Sequence, residues 1–190
     1  MRLFAAVLPP RDVIEALAHE VAGLRSLPGG EGLRWTGHPG WHFTLAFYGE
    51  VDEDVVPDLS ERLERAARRT EPFPLALRGG GQFGGGRALW AGADGDLHTL
   101  RLLAERSHAA GRRAGVPMEE HRRYKAHLTV ARSRGARDVR AHVELLGAFG
   151  SRTWTVDEVV LVRSHLPTSG VRGAQPRYEP LARWPLGAAG

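Results

Sequence analysis

The sequence contains no cysteine, and this absence narrows the chemistry open to the chain. Disulfides, thiolate metal sites and a cysteine nucleophile are excluded, so any catalysis has to use oxygen or imidazole groups. Long apolar runs are also missing, since none approaches the roughly 18 residues that a membrane span requires. The apolar N-terminal stretch is too short for a signal peptide. We therefore expect a soluble, cytoplasmic protein without membrane contact.

Acidic residues are the scarcer charge, with 22 Asp and Glu against 26 Lys and Arg, and nearly all of the cations are Arg. Arginine binds phosphate through a planar fork, which favours a phosphate-bearing partner. A GC-rich genome would enrich arginine as well, so charge alone does not decide the function. The length of 190 residues suits one domain, or two small lobes that share a core.

Hydrophobic periodicity and Pro or Gly breaks predict alternating strands and helices. Helices are expected at 12–27, 54–69, 97–114 and 139–146. Strands are expected at 3–8, 33–36, 42–48, 73–77, 88–93, 127–131, 154–163 and 177–184, with a glycine-rich hairpin loop at 79–86. The order lacks the long βαβ series of a doubly wound sheet. It therefore predicts an α+β fold of two closely packed lobes in a single domain, 1–190.

One pattern, His-apolar-Thr-apolar, occurs twice, as His42-Phe43-Thr44-Leu45 and His127-Leu128-Thr129-Val130. Both copies lie in predicted strands, where residues i and i+2 point to the same face. With 9 His and 8 Thr in the chain, two such tetrads arise by chance on the order of once in 500 shuffled sequences. A single copy would more often be a structural strand histidine, and the second copy reverses that judgement.

Two such strands side by side would form a cleft with two imidazoles and two hydroxyls. A neutral imidazole can accept a proton while a protonated one donates, because the ordinary histidine pKa of about 6.5 allows both forms near neutrality. Threonine hydroxyls can bind the non-bridging oxygens of a phosphate as charge builds on them. The pattern therefore predicts metal-independent phosphotransfer, with His42 and His127 as acid and base.

The sequence resembles the 2H phosphoesterases, specifically the bacterial and archaeal RNA 2′,3′-cyclic phosphodiesterases, historically called 2′-5′ RNA ligases. Besides the tetrads, the resemblance rests on blocks in the same order along nearly the whole chain. These blocks are residues 1–9, 33–36, 47–51, 82–83 with 89–90, 156–164, and 176–179.

The resemblance implies a bilobal fold of two pseudo-symmetric, mostly antiparallel sheets, with helices outside and the cleft between them. It implies hydrolysis of RNA 2′,3′-cyclic phosphate ends to 2′-phosphates, with reversible 2′-5′ ligation as an accompanying activity. In that scheme His42 protonates the departing O3′ and His127 activates water, although the two roles could be exchanged. Thr44 and Thr129 would bind the phosphate. No cofactor or metal is implied, and a monomer suits a self-contained cleft.

Three further residues are candidates for substrate binding. Arg132 matches an arginine common after the second tetrad and would bind the phosphate. Phe83 would stack on the terminal base, although a core role is nearly as plausible. Tyr124, just before the second tetrad, is a further candidate for the same cleft.

Two departures from the family pattern concern the surroundings of the site. Lys125-Ala126 stand before the second tetrad where the family usually has proline, and Lys125 could add a phosphate contact. Gly84-Gly85-Gly86 follow Phe83 where proline is common, which predicts a more mobile loop.

Other interpretations stay open. The same catalytic pair could serve a cyclic phosphodiesterase for small nucleotides, such as ADP-ribose cyclic phosphate, or a 3′ to 5′ trimming enzyme for oligouridine. A non-catalytic RNA-binding module would explain the arginines but not the tetrads. A metal hydrolase is a third interpretation, but the sequence contains neither a His-Glu-x-x-His helix nor clustered carboxylates. The other histidines show no ligand spacing and are expected to be surface or cap residues; they are His19, His38, His98, His108, His121, His142 and His165.

Overall fold

The computed structural model describes residues 1–119, 123–168 and 170–188. Within these ranges the helices are α1 Arg11–Arg25, α2 Val56–Arg68, α3 Leu97–Arg113 and α4 Arg140–Gly147. The strands are β1 Arg2–Val7, β2 Arg34–Trp35, β3 Phe43–Glu50, β4 Phe73–Phe83, β5 Ala88–Gly95, β6 Leu128–Arg132, β7 Trp154–Val156, β8 Glu158–His165 and β9 Arg177–Pro185. No helix in the described part of the chain is both long and apolar enough to cross a membrane.

The first sheet has the strand order β3-β1-β8-β9, and all its pairings are antiparallel. Strand β1 is apolar throughout after Arg2 because both of its faces are covered. Leu3 and Val7 belong to the main core, and helices α2 and α3 pack behind this sheet. Phe4 and Ala6 point the other way, into a small second cluster. That second face lies against the site described below.

The second sheet has the order β2-β6-β5-β4-β7, again with antiparallel pairings. Helix α4 packs on β4, and α1 packs on α4. Each sheet is thus backed by two helices, and one hydrophobic cluster includes Leu3 of the first sheet and Leu75 of the second. The prediction of an α+β fold with two closely packed lobes is confirmed.

The predicted strand at 154–163 is wrong in one respect, because the chain changes sheets within it. Trp154–Val156 pairs with β4 in the second sheet, whereas Glu158–His165 pairs with β1 and β9 in the first. The break falls at exposed Asp157, whose carbonyl accepts a hydrogen bond from the Leu186 amide at 2.8 Å. Strict apolar alternation also breaks here, because Trp154 and Val156 are two residues apart whereas Val156 and Val159 are three apart. This shift of phase coincides with the change of partner strands.

The predicted loop at 79–86 is also too long, since β4 continues through Phe83. A Cβ on Gly81 would lie 2.5 Å from the Trp90 ring, and one on Gly80 would lie 2.6 Å from the Trp90 carbonyl oxygen. These two glycines permit close packing within the sheet. The turn is restricted to residues 84–87, and its three glycines, Gly84, Gly85 and Gly86, each have positive φ.

Candidate active site

Both tetrads contribute to one cavity of about 360 Å³. His42 and Thr44 come from the start of β3 in the first sheet, and His127 and Thr129 come from the start of β6 in the second. The two strands therefore face each other across the cavity rather than pairing as neighbours. Further lining residues are Arg34, Thr36, Gly40, Arg132, Pro167, Ala174, Gln175, Pro176 and Tyr178.

The His42 ring lies between two aromatic side chains. It stacks on Phe4 with ring centroids 4.6 Å apart, and Tyr178 meets it edge-on at 5.4 Å. Its ring nitrogens make no hydrogen bond to the described part of the chain. Burial among these rings lowers the pKa of His42 to about 4. His42 is therefore neutral at pH 7.

The His127 ring is oriented by a hydrogen bond. Its Nδ1 lies 2.8 Å from the Lys125 carbonyl oxygen, which can only accept, so Nδ1 carries the proton. The lone pair of neutral His127 is therefore on Nε2. Phe83 meets this ring edge-on at 4.9 Å. Burial lowers the pKa of His127, with smaller effects from the Arg132 and Lys125 cations, while the Lys125 hydrogen bond opposes the shift.

The threonine hydroxyls are available to a ligand. Thr44 and Thr129 are half-buried at the cavity, and neither hydroxyl bonds to another described residue. The alternation that directs Phe43 and Leu128 into the core turns Thr44 and Thr129 toward the cavity. Each lobe thus offers one imidazole and one hydroxyl to the same space.

Two arginines on neighbouring strands lie side by side and line the cavity. Arg132 occupies the end of β6, as expected for a phosphate ligand, and Arg34 is its register partner on β2. Like charges directly opposite each other on neighbouring strands are destabilising. Neither guanidinium has an ion-pair partner among the described residues, so both charges are available to an anion.

Arg34 and Tyr178 are site residues that motif reasoning did not select. Both lie in sequence blocks that resemble the family, 33–36 and 176–179, and the alternation around Arg34 places Thr36 on the same face. Burial raises the pKa of the Tyr178 phenol, while the Arg132 and Arg2 cations act in the opposite direction. The sequence alone does not reveal the long-range strand pairing that brings β2 and β9 close to the tetrads.

The two aromatic candidates have different positions. Phe83, half-buried at the end of β4, contacts the His127 ring and lines a groove beside the cavity. Tyr124 is not among the described residues that line the cavity. Its ring packs against the core and its hydroxyl is buried without a partner, which raises its pKa. The structure therefore gives no support to Tyr124 as a substrate ligand.

The expectation that the other histidines are surface or cap residues is wrong for His142. This residue is 2% exposed on α4, near Trp35. His165 pairs with Glu179 at 2.7 Å, and His121 lies outside the described residues. Within residues 1–119, 123–168 and 170–188, no three or more His, Asp or Glu side chains cluster in a way that could hold a metal ion.

A two-lobed α+β fold that places one His-x-Thr pair from each sheet in a shared cavity defines the two-histidine phosphoesterase class. The chain belongs to the LigT like Phosphoesterase family, which it matches over residues 7–90 and 96–172.

Curated relatives and solved structures agree with this membership. The chain is 36% identical to the RNA 2′,3′-cyclic phosphodiesterase of Thermus thermophilus over 90% of this chain and 85% of the relative. It is 36% identical to that of Aeropyrum pernix over 58% of this chain, but spans only 62% of that relative, and it spans 47% of the Geobacillus stearothermophilus protein. Apo E. coli LigT superposes with a TM-score of 0.76 at 28% identity, covering 98% of this chain and 97% of LigT.

Proposed function

We propose that this protein hydrolyses RNA 2′,3′-cyclic phosphate ends to 2′-phosphates, with His42 and His127 as acid and base. The observation that carries the proposal is the convergence of both His-Thr pairs on one cavity. The relatives named RNA 2′,3′-cyclic phosphodiesterase support the substrate. E. coli LigT has been crystallised with 3′-AMP and with phosphate, which supports binding of a nucleotide phosphate in this fold.

His127 is assigned as the base because its hydrogen bond fixes which nitrogen is free. With Nδ1–H donated to the Lys125 carbonyl, Nε2 accepts a proton from water. The water oxygen attacks phosphorus in line with O3′, the new P–O bond forms and the P–O3′ bond breaks. The 2′-phosphate stays on the ribose, and the 3′-oxygen leaves.

His42 is assigned as the acid that protonates the departing O3′. Its pKa of about 4 leaves it mostly neutral near pH 7 before substrate binds. An anionic phosphate in the cavity raises the pKa of a neighbouring imidazole, so substrate binding supplies the missing stabilisation of the protonated form. The rings of Phe4 and Tyr178 hold the imidazole in place for the transfer.

Four side chains bind the phosphate in this scheme. Thr44 and Thr129 donate their hydroxyls to the non-bridging oxygens, and Arg132 and Arg34 supply charge. Their positions are set by strands before substrate arrives, so little reorganisation accompanies the transition state. Lys125 stands apart, with its ammonium over the Phe83 and Trp90 rings.

The decisive experiment uses an RNA oligonucleotide that ends in a 2′,3′-cyclic phosphate. Wild type is expected to convert this end to a 2′-phosphate in the presence of EDTA, because the proposed acid and base are both imidazoles and need no metal. Metal-restored activity after EDTA treatment would contradict the proposal. Adding RNA with a 5′-hydroxyl tests ligation, because that hydroxyl would replace water as the nucleophile and form a 2′-5′ linkage. Turnover of cyclic mononucleotides alone would favour a small-nucleotide substrate.

A further inference from the structure

A larger groove, of about 880 Å³, adjoins the catalytic cavity. Among the described residues that line it, Glu31 is the only acidic side chain. Six lining residues are arginines: Arg34, Arg87, Arg132, Arg134, Arg137 and Arg172. Such a concentration of guanidinium groups with one carboxylate is suited to several phosphate groups at once.

The groove is continuous with the catalytic cavity through two of these side chains. Arg34 and Arg132 line both spaces, and they are the adjacent like charges described above. Phe83 also lines the groove while its ring contacts His127. Cations that follow a backbone, together with an aromatic ring available for stacking, are the usual elements of single-stranded RNA binding.

Two of the arginines build the wall of the groove. Arg137 donates to the Gly29 carbonyl at 3.2 Å, and its own amide donates to the Gly85 carbonyl at 2.8 Å. A side chain at Gly32 would overlap the Arg137 guanidinium. Arg87 donates to the Gly84 carbonyl at 2.7 Å within the turn. These contacts tie together three loops.

Two other arginines are free to contact a ligand. Arg134 and Arg172 are exposed, and neither has a hydrogen bond or an ion pair to another described residue. Arg134 follows β6 of the second sheet, and Arg172 lies between β8 and β9 of the first. Residues from both lobes therefore line the groove, as they do the catalytic cavity.

We propose that this groove binds the internucleotide phosphates on the 5′ side of the cyclic end, so that RNA length determines specificity. This inference rests on the proposed function. An RNA that ends in a 2′,3′-cyclic phosphate can continue only from the 5′ side of its last nucleotide, and the groove is the adjoining space that is lined with cations. Arg134 and Arg172 are the specificity-determining residues.

The test compares kcat/KM for a 2′,3′-cyclic mononucleotide with those for di-, tri- and tetranucleotides that carry the same terminal base. We expect kcat/KM to rise at least tenfold with length and then level off. Arg134→Gln and Arg172→Gln should each lower the tetranucleotide value by about 3- to 10-fold and leave the mononucleotide value unchanged. Each should also reduce the slope of log kcat/KM against log salt by about 0.7 for the tetranucleotide.

Arg112→Gln is the matched control, because it removes the same charge from an exposed site on α3 outside the groove. It should leave kcat/KM unchanged for both the mononucleotide and the tetranucleotide. Turnover that does not depend on RNA length would overturn this inference and leave the proposed function standing. Equal losses for mononucleotide and tetranucleotide in the Arg134→Gln and Arg172→Gln variants would do the same. A mononucleotide with a 5′-triphosphate that matched the tetranucleotide would overturn it in favour of a polyphosphate site. No turnover of any cyclic substrate would overturn the proposed function and this inference with it.

Discussion

His42 and His127 occupy equivalent positions in two copies of one tetrad, yet their rings have different surroundings. His42 lies between the Phe4 and Tyr178 rings and makes no hydrogen bond to the described chain. His127 donates a hydrogen bond to the Lys125 carbonyl and lies near the Arg132 and Lys125 cations. The same sequence pattern thus gives two imidazoles with different properties. Desolvation sets the pKa of His42, whereas His127 also has a fixed tautomer and nearby cations. The proposed assignment of acid and base rests on these surroundings.

The largest expected effect comes from removing either imidazole. His42→Ala and His127→Ala should each lower kcat for cyclic-ended RNA by about 10²- to 10⁴-fold, because each removes one proton-transfer group. A substrate with sulfur in place of the bridging 3′-oxygen separates the roles, since a thiolate leaves without being protonated. His42→Ala should regain activity on this substrate and His127→Ala should not. The reverse pattern would exchange the two roles.

Removing a hydroxyl should have the next largest effect. Thr44→Val and Thr129→Val keep side-chain shape but delete one donor to the phosphate, and each should lower kcat by about 10²-fold. Thr155→Val, at an exposed position on β7 away from the cavity, is the control. Circular dichroism of each variant should match wild type. Unchanged kcat in both tetrad variants would remove the threonines from the mechanism.

The pH dependence of kcat/KM tests the histidine pair in the free enzyme. His42 must be protonated and His127 neutral, and the pKa values are about 4 for His42 and below 6.5 for His127. The active form is therefore lost above the higher of the two values, where both rings are neutral, and below the lower, where both rings are protonated. We expect a bell whose maximum lies below pH 6.5. A constant kcat/KM from pH 4 to 8 would contradict the scheme.

A substitution beside His42 should have a smaller effect on activity and bring the pKa values of the two histidines closer together. Phe4→Leu removes the ring stacked on His42 and lets water approach, so the pKa of His42 should rise toward 6.5. NMR titration of the imidazole carbons measures the shift, with His127 as the internal control. The effect on kcat should be only several-fold. An unmoved His42 titration would mean that Phe4 does not cause the low pKa.

Much of this architecture could be predicted from local pattern. The tetrads supply four side chains that line one cavity, and helix bounds such as Leu97–Arg113 differ from the prediction by one residue. The errors arose where one local pattern fits two structures. The shift of apolar phase at Asp157 fits an irregularity within one strand as well as a change of partner strands, and glycines at 80 and 81 resemble a loop but serve close packing against Trp90. Arg34 becomes a site residue only through its pairing with β6, far along the chain.

The interleaving of the two sheets has a consequence during protein synthesis. Strand β1 lies between β3 and β8, so Arg2 pairs with Ser164, and Phe4 receives its neighbour Tyr178 only from β9. Strands of the second sheet are made between these segments. A nascent chain on the ribosome therefore cannot complete the first lobe before it has made most of the second. Catalytic competence should appear in one late step, with no half-length fragment active by itself.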